Sequence, residues 1–234
     1  MSSQGRREEI HRHSGWLIPL AFAAAILLLC ALFLGWYLRP GPHGAAPTGR
    51  SGIVRLSVAG RPLAIPANYI VNPAARTGGD QAQLTIAALF PYWTGYSDAD
   101  ARLFAGNAPD SPLVRITLRG DTGRLPNRDR LERIYKPNVT GAAGTATPFG
   151  LIQYAFRKDS GYERNDLFVG NKNGLVLLLC ERAGPYLTSP NCLVADQPLG
   201  RGLSMSYRFK RAYLAHWQEI ADGVNGLVGR FVAG

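Results

Sequence analysis

An uninterrupted apolar segment near the N-terminus limits what this chain can fold into more than any other feature. Residues 16–38, WLIPLAFAAAILLLCALFLGWYL, contain no charged side chain. A helix of this length extends about 34 Å at about 1.5 Å per residue, enough to cross a hydrocarbon core of about 30 Å. Trp16, Trp36 and Tyr37 lie at its two ends, and aromatic side chains favour the headgroup layer. The segment predicts a single transmembrane anchor.

Three kinds of cleaved leader fit this segment less well than an anchor does. A secretory signal has an apolar core of about 7–15 residues before a small-residue cleavage site, and the best candidate site, residues 44–46, is followed by the unfavourable Pro47. A lipoprotein signal would use Cys30, but two leucines precede it where small residues are needed. The arginine pair at positions 6 and 7 is followed by two glutamates, unlike a twin-arginine signal. We expect Cys30 to serve as a small apolar side chain in lipid.

The flanking charges and the composition indicate where the rest of the chain resides. Only four of the 26 basic residues are Lys, and Ala, Gly and Arg are abundant, which is typical of a GC-rich bacterial source. Arg6, Arg7 and Arg12 precede the span, whereas Arg39 and Arg50 follow it, so the positive-inside rule gives only a slight bias. Together with the cysteine pair discussed below, this bias favours a bacterial inner-membrane protein with a cytoplasmic N-terminus and a periplasmic C-terminal domain.

The chain divides by composition into four segments. Residues 1–15 are predicted to be a cytoplasmic tail, 16–38 the transmembrane anchor, 39–52 a linker with three prolines and four glycines, and 53–234 one periplasmic domain. From Arg50 onward, 22 basic and 14 acidic residues leave a net charge of 22 − 14 = +8. The densest basic patch, residues 124–136, is interrupted by acids, so we expect a solvated and partly self-paired face. Contact with phospholipid headgroups is the alternative, and an exported domain argues against nucleic acid.

Alternating apolar residues predict a mainly antiparallel sheet in this domain. The predicted strands are 54–58, 61–65, 84–90, 114–118, 152–156, 167–169, 175–180 and 203–209. The run Leu175–Leu179 is apolar on both faces, which places its strand centrally in the sheet. Short helices are predicted over 97–104, with Ser97 or Asp98 as the cap, and over 127–135. Residues 72–81 read as a loop.

The C-terminus changes to a helical period. Apolar side chains recur at alternating spacings of four and three, which is one stripe of a long helix: Tyr213, Trp217, Ile220, Val224, Leu227 and Phe231. Gly223, Gly226 and Gly229 would each weaken a free-standing helix by about 1 kcal/mol, so we expect this helix to pack on its own sheet rather than on another chain. The fold class is therefore α+β, a mainly antiparallel sheet covered by a long C-terminal helix behind one transmembrane helix.

Two cysteines in the domain predict a disulfide bond. Cys180 ends the central strand, and Cys192 is expected in the Gly/Pro/Ser-rich loop that follows. In an oxidising compartment such a pair is expected to bridge, and a loop of this size would stabilise the fold by about 3 kcal/mol in the chain-entropy picture. Redox motifs usually place their thiols two residues apart, and a metal site would need further Cys or His nearby. The pair is therefore interpreted as structural.

No catalytic or cofactor motif stands out in the chain. G-x-S-x-G, H-E-x-x-H, P-loop and G-x-G-x-x-G patterns are absent, and we expect neither a metal nor a cofactor. His216 is the only histidine of the domain, and a partly covered surface residue is its simplest interpretation. Asp98 and Asp100 suit a helix N-terminus. The acids of the segment RKDSGYERND, residues 157–166, are matched by basic neighbours.

The most suggestive binding candidate is an aromatic cluster after the third strand. Tyr92, Trp93 and Tyr96 could stack on a sugar ring or grip a peptide, with packing at the edge of the core as the alternative. The leading hypothesis is a non-enzymatic interaction or accessory protein of an envelope complex, or an inhibitor of a periplasmic target, whose partner is another envelope protein or a second copy. A glycan- or lipid-binding module is the first alternative, and a hydrolase using His216 is the second.

Overall fold

The computed structural model describes residues 17–37, 47–121, 123, 125–172, 174–200 and 202–233. By internal contacts the chain separates into two units, Met1–Gly44 and Ala45–Gly234. In the first, helix α1 covers Leu17–Tyr37, and its stretch Ile18–Trp36 has a mean hydropathy of 2.6 and no buried side chain within the molecule. By length and composition, α1 is able to cross a membrane. Trp16 and Leu38, the predicted ends of the span, and the tail 1–15 lie outside the described residues.

The second unit contains two sheets. In the smaller one, β1 pairs antiparallel with β2 and parallel with β3, so β2, which begins and ends near prolines, is an edge strand as expected. The larger sheet has eight strands in the order β4-β5-β11-β10-β9-β8-β7-β6, all neighbours antiparallel. The strands are β1 Ile53–Val58, β2 Arg61–Pro66, β3 Gly79–Gln81, β4 Gln83–Leu89, β5 Leu113–Gly120, β6 Thr145–Ala146, β7 Ile152–Ala155, β8 Asn165–Asn171, β9 Leu175–Glu181, β10 Asn191–Gly200 and β11 Leu203–Lys210.

The α+β architecture and the central position of β9 are confirmed, but three strands, β3, β6 and β10, were not predicted. Strand β10 begins at the end of the predicted Gly/Pro/Ser-rich loop, residues 183–192, and continues to Gly200 through residues for which no element was predicted, so Cys192 lies within a strand. The loop prediction for Cys192 is therefore wrong. Pro198, the bulges and the charged Asp196 hide the alternation of β10, which pairs with β11 over two register shifts. Residues 72–81 are likewise more regular than expected, because they hold a 3₁₀ helix, Pro73–Thr77, and strand β3.

Helix α4, Trp217–Ala233, covers one face of the eight-stranded sheet, called here the inner face, which carries the main core. Its apolar stripe is buried, with Trp217, Ile220 and Val224 each at most 1% exposed. The Trp217 indole nitrogen donates to the carbonyl of Phe149 at 2.9 Å, which satisfies the one polar atom of this buried ring. Tyr213 belongs to a preceding 3₁₀ helix, Arg211–His216, so the α-helix begins one turn later than the stripe suggested.

The opposite face of the eight-stranded sheet is called here the outer face. Two short helices cover its ends and leave its centre open. Helix α2, Ala101–Ala105, lies beside the apolar group of Ala87, Leu89 and Leu113, to which Phe104 adds its ring. Ser97 is a cap as predicted, but of the 3₁₀ helix Asp98–Asp100 that precedes α2: its hydroxyl accepts from the backbone nitrogen of Asp100 at 3.3 Å. Helix α3, Asn127–Arg130, continues as a π-helix, Leu131–Tyr135, over a second apolar group on β7, β8 and β9. Strands β5, β11 and β10 cross the open region between them.

The last residues of the predicted linker contact the domain. Pro47 lines a cavity together with side chains of β4 and β5, and the Ala67 nitrogen donates to the carbonyl of Gly52 at 2.9 Å. Residues 39–46 lie outside the described part of the chain. Pro47 and Gly52, which were predicted as linker, are therefore in contact with the domain.

Candidate functional site: a basic groove on the outer sheet face

Strands β5 and β11 bring two arginines side by side at the centre of the open face. Alternation along β5 buries Val114 and Ile116 and turns Arg115 outward. Strand β11 runs antiparallel beside it, and the register places Arg208 directly opposite Arg115. Residues opposite each other on one face have Cβ atoms about 4.5–5.5 Å apart. The two guanidinium groups therefore emerge from the same spot on the sheet.

A concave surface surrounds this arginine pair. One cavity of about 250 Å³ is lined by both arginines, Lys210 and Asn191. A second, of about 150 Å³, shares Arg208 and Asn191 and adds Leu193. A third, of about 160 Å³, begins at Arg115 and extends toward Tyr96 and Phe104. Because neighbouring cavities share residues, they form one depression across the strands, defined here as the basic groove and centred on Arg115, Asn191, Leu193, Arg208 and Lys210.

Lys210 contributes a third positive charge at the floor of the groove. The residue is only 6% exposed, and its ammonium nitrogen donates to the Asn107 side-chain oxygen and to the carbonyl of Ser189. Desolvation by burial lowers the pKa of Lys210; Glu181 opposes this shift, and Arg115 and Arg208 reinforce it. A buried ammonium held among neutral acceptors and beside two arginines is stabilised by any carboxylate that approaches it.

Unlike Arg119 and Arg130 nearby, the two arginines have no acidic ion-pair partner among the described residues. Arg119 and Arg130 both pair with Asp196, at 2.6 and 2.7 Å. No described carboxylate lies within ion-pair distance of Arg115 or Arg208, and both are exposed. Like charges directly opposite each other weaken an antiparallel pair. The groove therefore carries unbalanced positive charge at a cost to the fold.

Some of the other basic residues are paired with acids, as a partly self-paired face requires, although no ion pair is found for Arg128 and Arg133 among the described residues. In the patch 124–136, Arg130 pairs with Asp196, and Lys136 with Glu132 at 2.7 Å. In the acidic segment after β7, Asp159 pairs with Arg157 at 3.2 Å. The interpretation of residues 157–166 as one loop is wrong for Asp166, which lies buried in strand β8. It pairs with two more distant residues, Arg182 at 2.7 Å and Arg211 at 2.6 Å.

The disulfide between Cys180 and Cys192 is present in the structure. The two residues face each other across β9 and β10 and are fully buried in the main core. The bond joins positions 12 residues apart and thereby closes the loop between these two strands at its base.

The aromatic candidates occupy three different surroundings. Tyr92 is 85% exposed. Trp93 is half-buried and packs edge-on against Phe90, with ring centroids 6.0 Å apart. A Cβ atom on Gly223 of α4 would lie 2.0 Å from the Trp93 ring, so the indole rests directly on the helix backbone. Tyr96 packs edge-on against Phe104 at 5.3 Å and lines the end of the basic groove.

His216 lies on the surface at the start of α4. Its Nδ1 atom is 3.1 Å from a carboxylate oxygen of Glu219, and the side chains are 50% and 67% exposed. The ring also contacts Phe90, with centroids 5.8 Å apart. Asp98 and Asp100, the other acidic pair, occupy the first turn of a 3₁₀ helix, Asp98–Asp100. Among the described residues no group of three or more His, Cys, Asp or Glu side chains is arranged to hold a metal ion.

The sequence predicts that Arg115 and Arg208 face outward from their strands, but it does not predict that they meet in one groove. The alternation in β5 predicts a basic outer face that includes Arg115, and the alternation in β11 turns Arg208 outward. Nothing in either pattern indicates that these strands are neighbours or sets their register. Lys210 was not singled out because it ends its strand beyond the alternating run.

Comparisons with known proteins place the fold but not the family. No protein-family model matches the chain, and no curated protein sequence matches it significantly. Among solved structures, Smlt3025, an immunity protein of the Stenotrophomonas maltophilia type IV secretion system, has a TM-score of 0.54 at 16% identity, over 77% of this chain and 93% of that one. The iron-regulated outer membrane lipoprotein FrpD of Neisseria meningitidis has a TM-score of 0.49 at 15% identity, over 82% and 98%. At 16% identity the likeness to Smlt3025 shows a shared fold and no more.

Proposed function

We propose that this chain is a membrane-anchored protein of the bacterial envelope that binds another protein and restrains it, as an immunity protein does. The observation that carries the proposal is the basic groove, where Arg115, Arg208 and Lys210 lie together and no described carboxylate forms an ion pair with any of them. Glu181, at the edge of the groove, is the one described carboxylate that acts on Lys210, and a net positive charge remains. A protein surface that keeps mutually repelling charges in a concave site is suited to an acidic partner. The fold shared with an immunity protein supports this role.

The proposal includes the position of the chain in the envelope. Helix α1 is an uncleaved anchor with its N-terminus in the cytoplasm, and the domain faces the periplasm. The disulfide supports this topology, because such bonds form and persist in oxidising compartments. Alkaline phosphatase, which folds only outside the cytoplasm, should be active when fused after residue 234. An active cytoplasmic reporter at the same position would contradict the topology.

Contact-dependent competition between siblings tests the restraining role. Cells that lack this chain should be outcompeted by wild-type siblings that deliver the target, and the full chain should restore survival. The double variant Arg115→Glu and Arg208→Glu should fail to restore it, because two groove charges are reversed. The matched control, Arg55→Glu with Arg230→Glu, makes the same charge change at exposed positions on β1 and α4 and should protect as well as wild type.

Two outcomes would count against the proposal. If cells without the chain compete equally, the protein does not confer immunity. If the groove variant protects fully at equal abundance, the groove does not bind the target. Immunoblotting of membrane fractions provides the abundance control, since a misfolded variant would be depleted.

A binding site for glycan or lipid at Tyr92, Trp93 and Tyr96 is a second candidate, favoured by the 85% exposure of Tyr92. Since Trp93 also packs on α4, Tyr92→Ala is the cleaner substitution. It should reduce retention on peptidoglycan sacculi or on vesicles of anionic phospholipid if a ring stacks there. Unchanged retention for both Tyr92→Ala and Trp93→Ala would remove the aromatic basis of this candidate.

A further inference from the structure

The loop between β9 and β10 presents a fully exposed tyrosine. Tyr186 has the highest exposure of any large apolar or aromatic side chain among the described residues, above Tyr92 at 85%. Its neighbours Gly184 and Pro185 are also exposed. A ring of this size offers a large apolar area that the fold does not use. Residues 182–190 are called the stapled loop, since the disulfide closes their base.

The tip of the stapled loop is closed by backbone hydrogen bonds. The nitrogen of Gly184 donates to the carbonyl of Leu187 at 3.0 Å, and the nitrogen of Leu187 donates to the carbonyl of Gly184 at 3.1 Å. Pro185 and Tyr186 are the two residues of the turn between them. Proline fixes its own φ and so restricts the turn before any partner arrives. The direction of the tyrosine is therefore set by the backbone.

The base of the loop is fixed from several sides. Glu181 accepts from the backbone and side-chain nitrogens of Asn191, at 2.8 and 3.0 Å. The Arg211 nitrogen donates to the carbonyl of Pro190 at 2.9 Å, and Lys210 donates to the carbonyl of Ser189 at 3.3 Å. Together with the buried disulfide, these bonds leave little freedom to lose on binding. Preorganisation of this kind strengthens an interaction by reducing its entropic cost.

The stapled loop and the basic groove form adjoining parts of one surface. Lys210 and Asn191 line the groove and also hold the base of the loop through Ser189 and Glu181. A partner that neutralises the groove charges is therefore brought to the loop as well. A rigid aromatic anchor beside a charged steering surface is the usual composition of a binding hot spot.

We propose that the stapled loop inserts Tyr186 into a cleft of the target protein, a cleft with an apolar floor that accepts an aromatic ring and an acidic rim that contacts the basic groove. This inference rests on the proposed function and specifies how the target is held. The ring fills the cleft while Arg115 and Arg208 contact its rim, so the target is blocked by occupation and no bond is made or broken.

Site-specific photo-crosslinking of the full chain in living cells tests the insertion. The probe is p-benzoylphenylalanine, placed in separate strains at position 186 in the loop, at Leu193 in the groove and at Tyr92 as a matched exposed tyrosine. Ultraviolet light should produce one adduct of the same mass at 186 and at 193. Position 92 should produce none. Mass spectrometry of the two adducts should identify the same protein, present at equal yield in repeated preparations.

The outcomes separate the two proposals. An adduct at 193 without one at 186 overturns loop insertion and leaves the groove as the binding site. No adduct at either position overturns both. Equal adducts at 186 and 92 reflect mere exposure and also overturn the insertion.

Affinity of the purified full chain in detergent for the protein recovered at 193 then tests the anchor. Tyr186→Ala should weaken binding by about 30-fold, as expected when a buried aromatic hot spot is truncated, whereas Tyr92→Ala should leave it unchanged. Tyr186→Phe should retain most of the affinity, because the apolar ring remains. A Tyr186→Ala variant that binds as tightly as Tyr92→Ala would overturn the proposal.

Discussion

The arginine pair makes a quantitative prediction about stability: Arg115→Thr should make the domain more stable, not less. Arg115 and Arg208 face each other on adjacent strands. Because opposite Cβ atoms lie about 4.5–5.5 Å apart, a charge separation of about 7 Å is assumed. Coulomb's law gives a repulsion of about 0.6 kcal/mol at 7 Å in water, within the 0.2–1 kcal/mol span of cross-strand pairs. Arg115 also acts against the ammonium of Lys210, so a total gain of about 0.5–1 kcal/mol is expected at low salt.

Urea unfolding of the full chain in a nonionic detergent, followed by circular dichroism, measures this gain. Urea carries no charge, so the salt concentration is free to vary. With a slope of about 2 kcal/mol per molar urea, the midpoint should rise by about 0.3–0.5 M in 10 mM salt. It should rise far less in 1 M salt, where the Debye length is about 3 Å.

The control is Arg55→Thr, at an exposed strand position whose partner across β1 and β2 is Ala64. It makes the same chemical change without removing a repulsion, so its midpoint should stay close to wild type. If Arg115→Thr stabilises no more than the control, or if its gain is the same in high salt, the pair is not electrostatically strained. The argument that the groove holds charge for a partner would then fail. Loss of binding together with a gain in stability is the expected result.

Three further predictions concern the fold. Replacing Cys180 and Cys192 together by Ala should destabilise the domain by about 3 kcal/mol, because the bond closes a loop across 12 positions. The melting temperature measured by calorimetry should fall by about 6–12 °C, and an unchanged melting temperature would contradict this prediction. Gly223→Ala should lower the free energy of unfolding despite the better helix propensity of alanine, because the new Cβ atom would lie 2.0 Å from the Trp93 indole. Gly226→Ala is the matched control on the same helix, since a Cβ atom there meets open space, and it should raise the free energy of unfolding by up to about 1 kcal/mol. Urea unfolding measures both changes. The pKa of Lys210 is lowered in the fold, so at this residue the unfolded chain binds more protons between that pKa and 10.5, and its contribution to stability rises with pH across this window. The raised pKa values of Tyr135, Tyr207 and Tyr213 act in the opposite direction, so the test is the difference between wild type and Lys210→Met. The urea midpoint of Lys210→Met should change less favourably with pH than that of wild type, and identical slopes would refute the prediction.

Local patterns in the sequence determine much of this protein. The charge-free segment of α1, the alternation in β4, β5 and β11, and the helical stripe of α4 each depend on side chains a few residues apart. Such patterns identify an element because burial repeats with the period of the backbone. The disulfide pair was also legible, since only two cysteines follow the apolar segment.

Strand β10 was not legible, because its alternation is broken by bulges and by residues typical of loops. The helix predicted over 127–135 is real but changes from α to π after Arg130, which depends on what lies beneath it. The aromatic cluster illustrates the same limit. The sequence shows three nearby rings, but only the packing of Trp93 on Gly223 shows that one of them also serves the core.

The candidate site belongs entirely to the tertiary structure. Arg115 and Arg208 lie 208 − 115 = 93 positions apart along the chain, and their meeting depends on which strands become neighbours and in which register. A shift of one residue would turn Arg208 toward the core. The sequence determined which residues face outward on each strand. Which outward residues meet was decided by the pairing of the strands. Hydrogen bonds between strands join distant parts of the chain, and the periodic pattern of neither part indicates its partner.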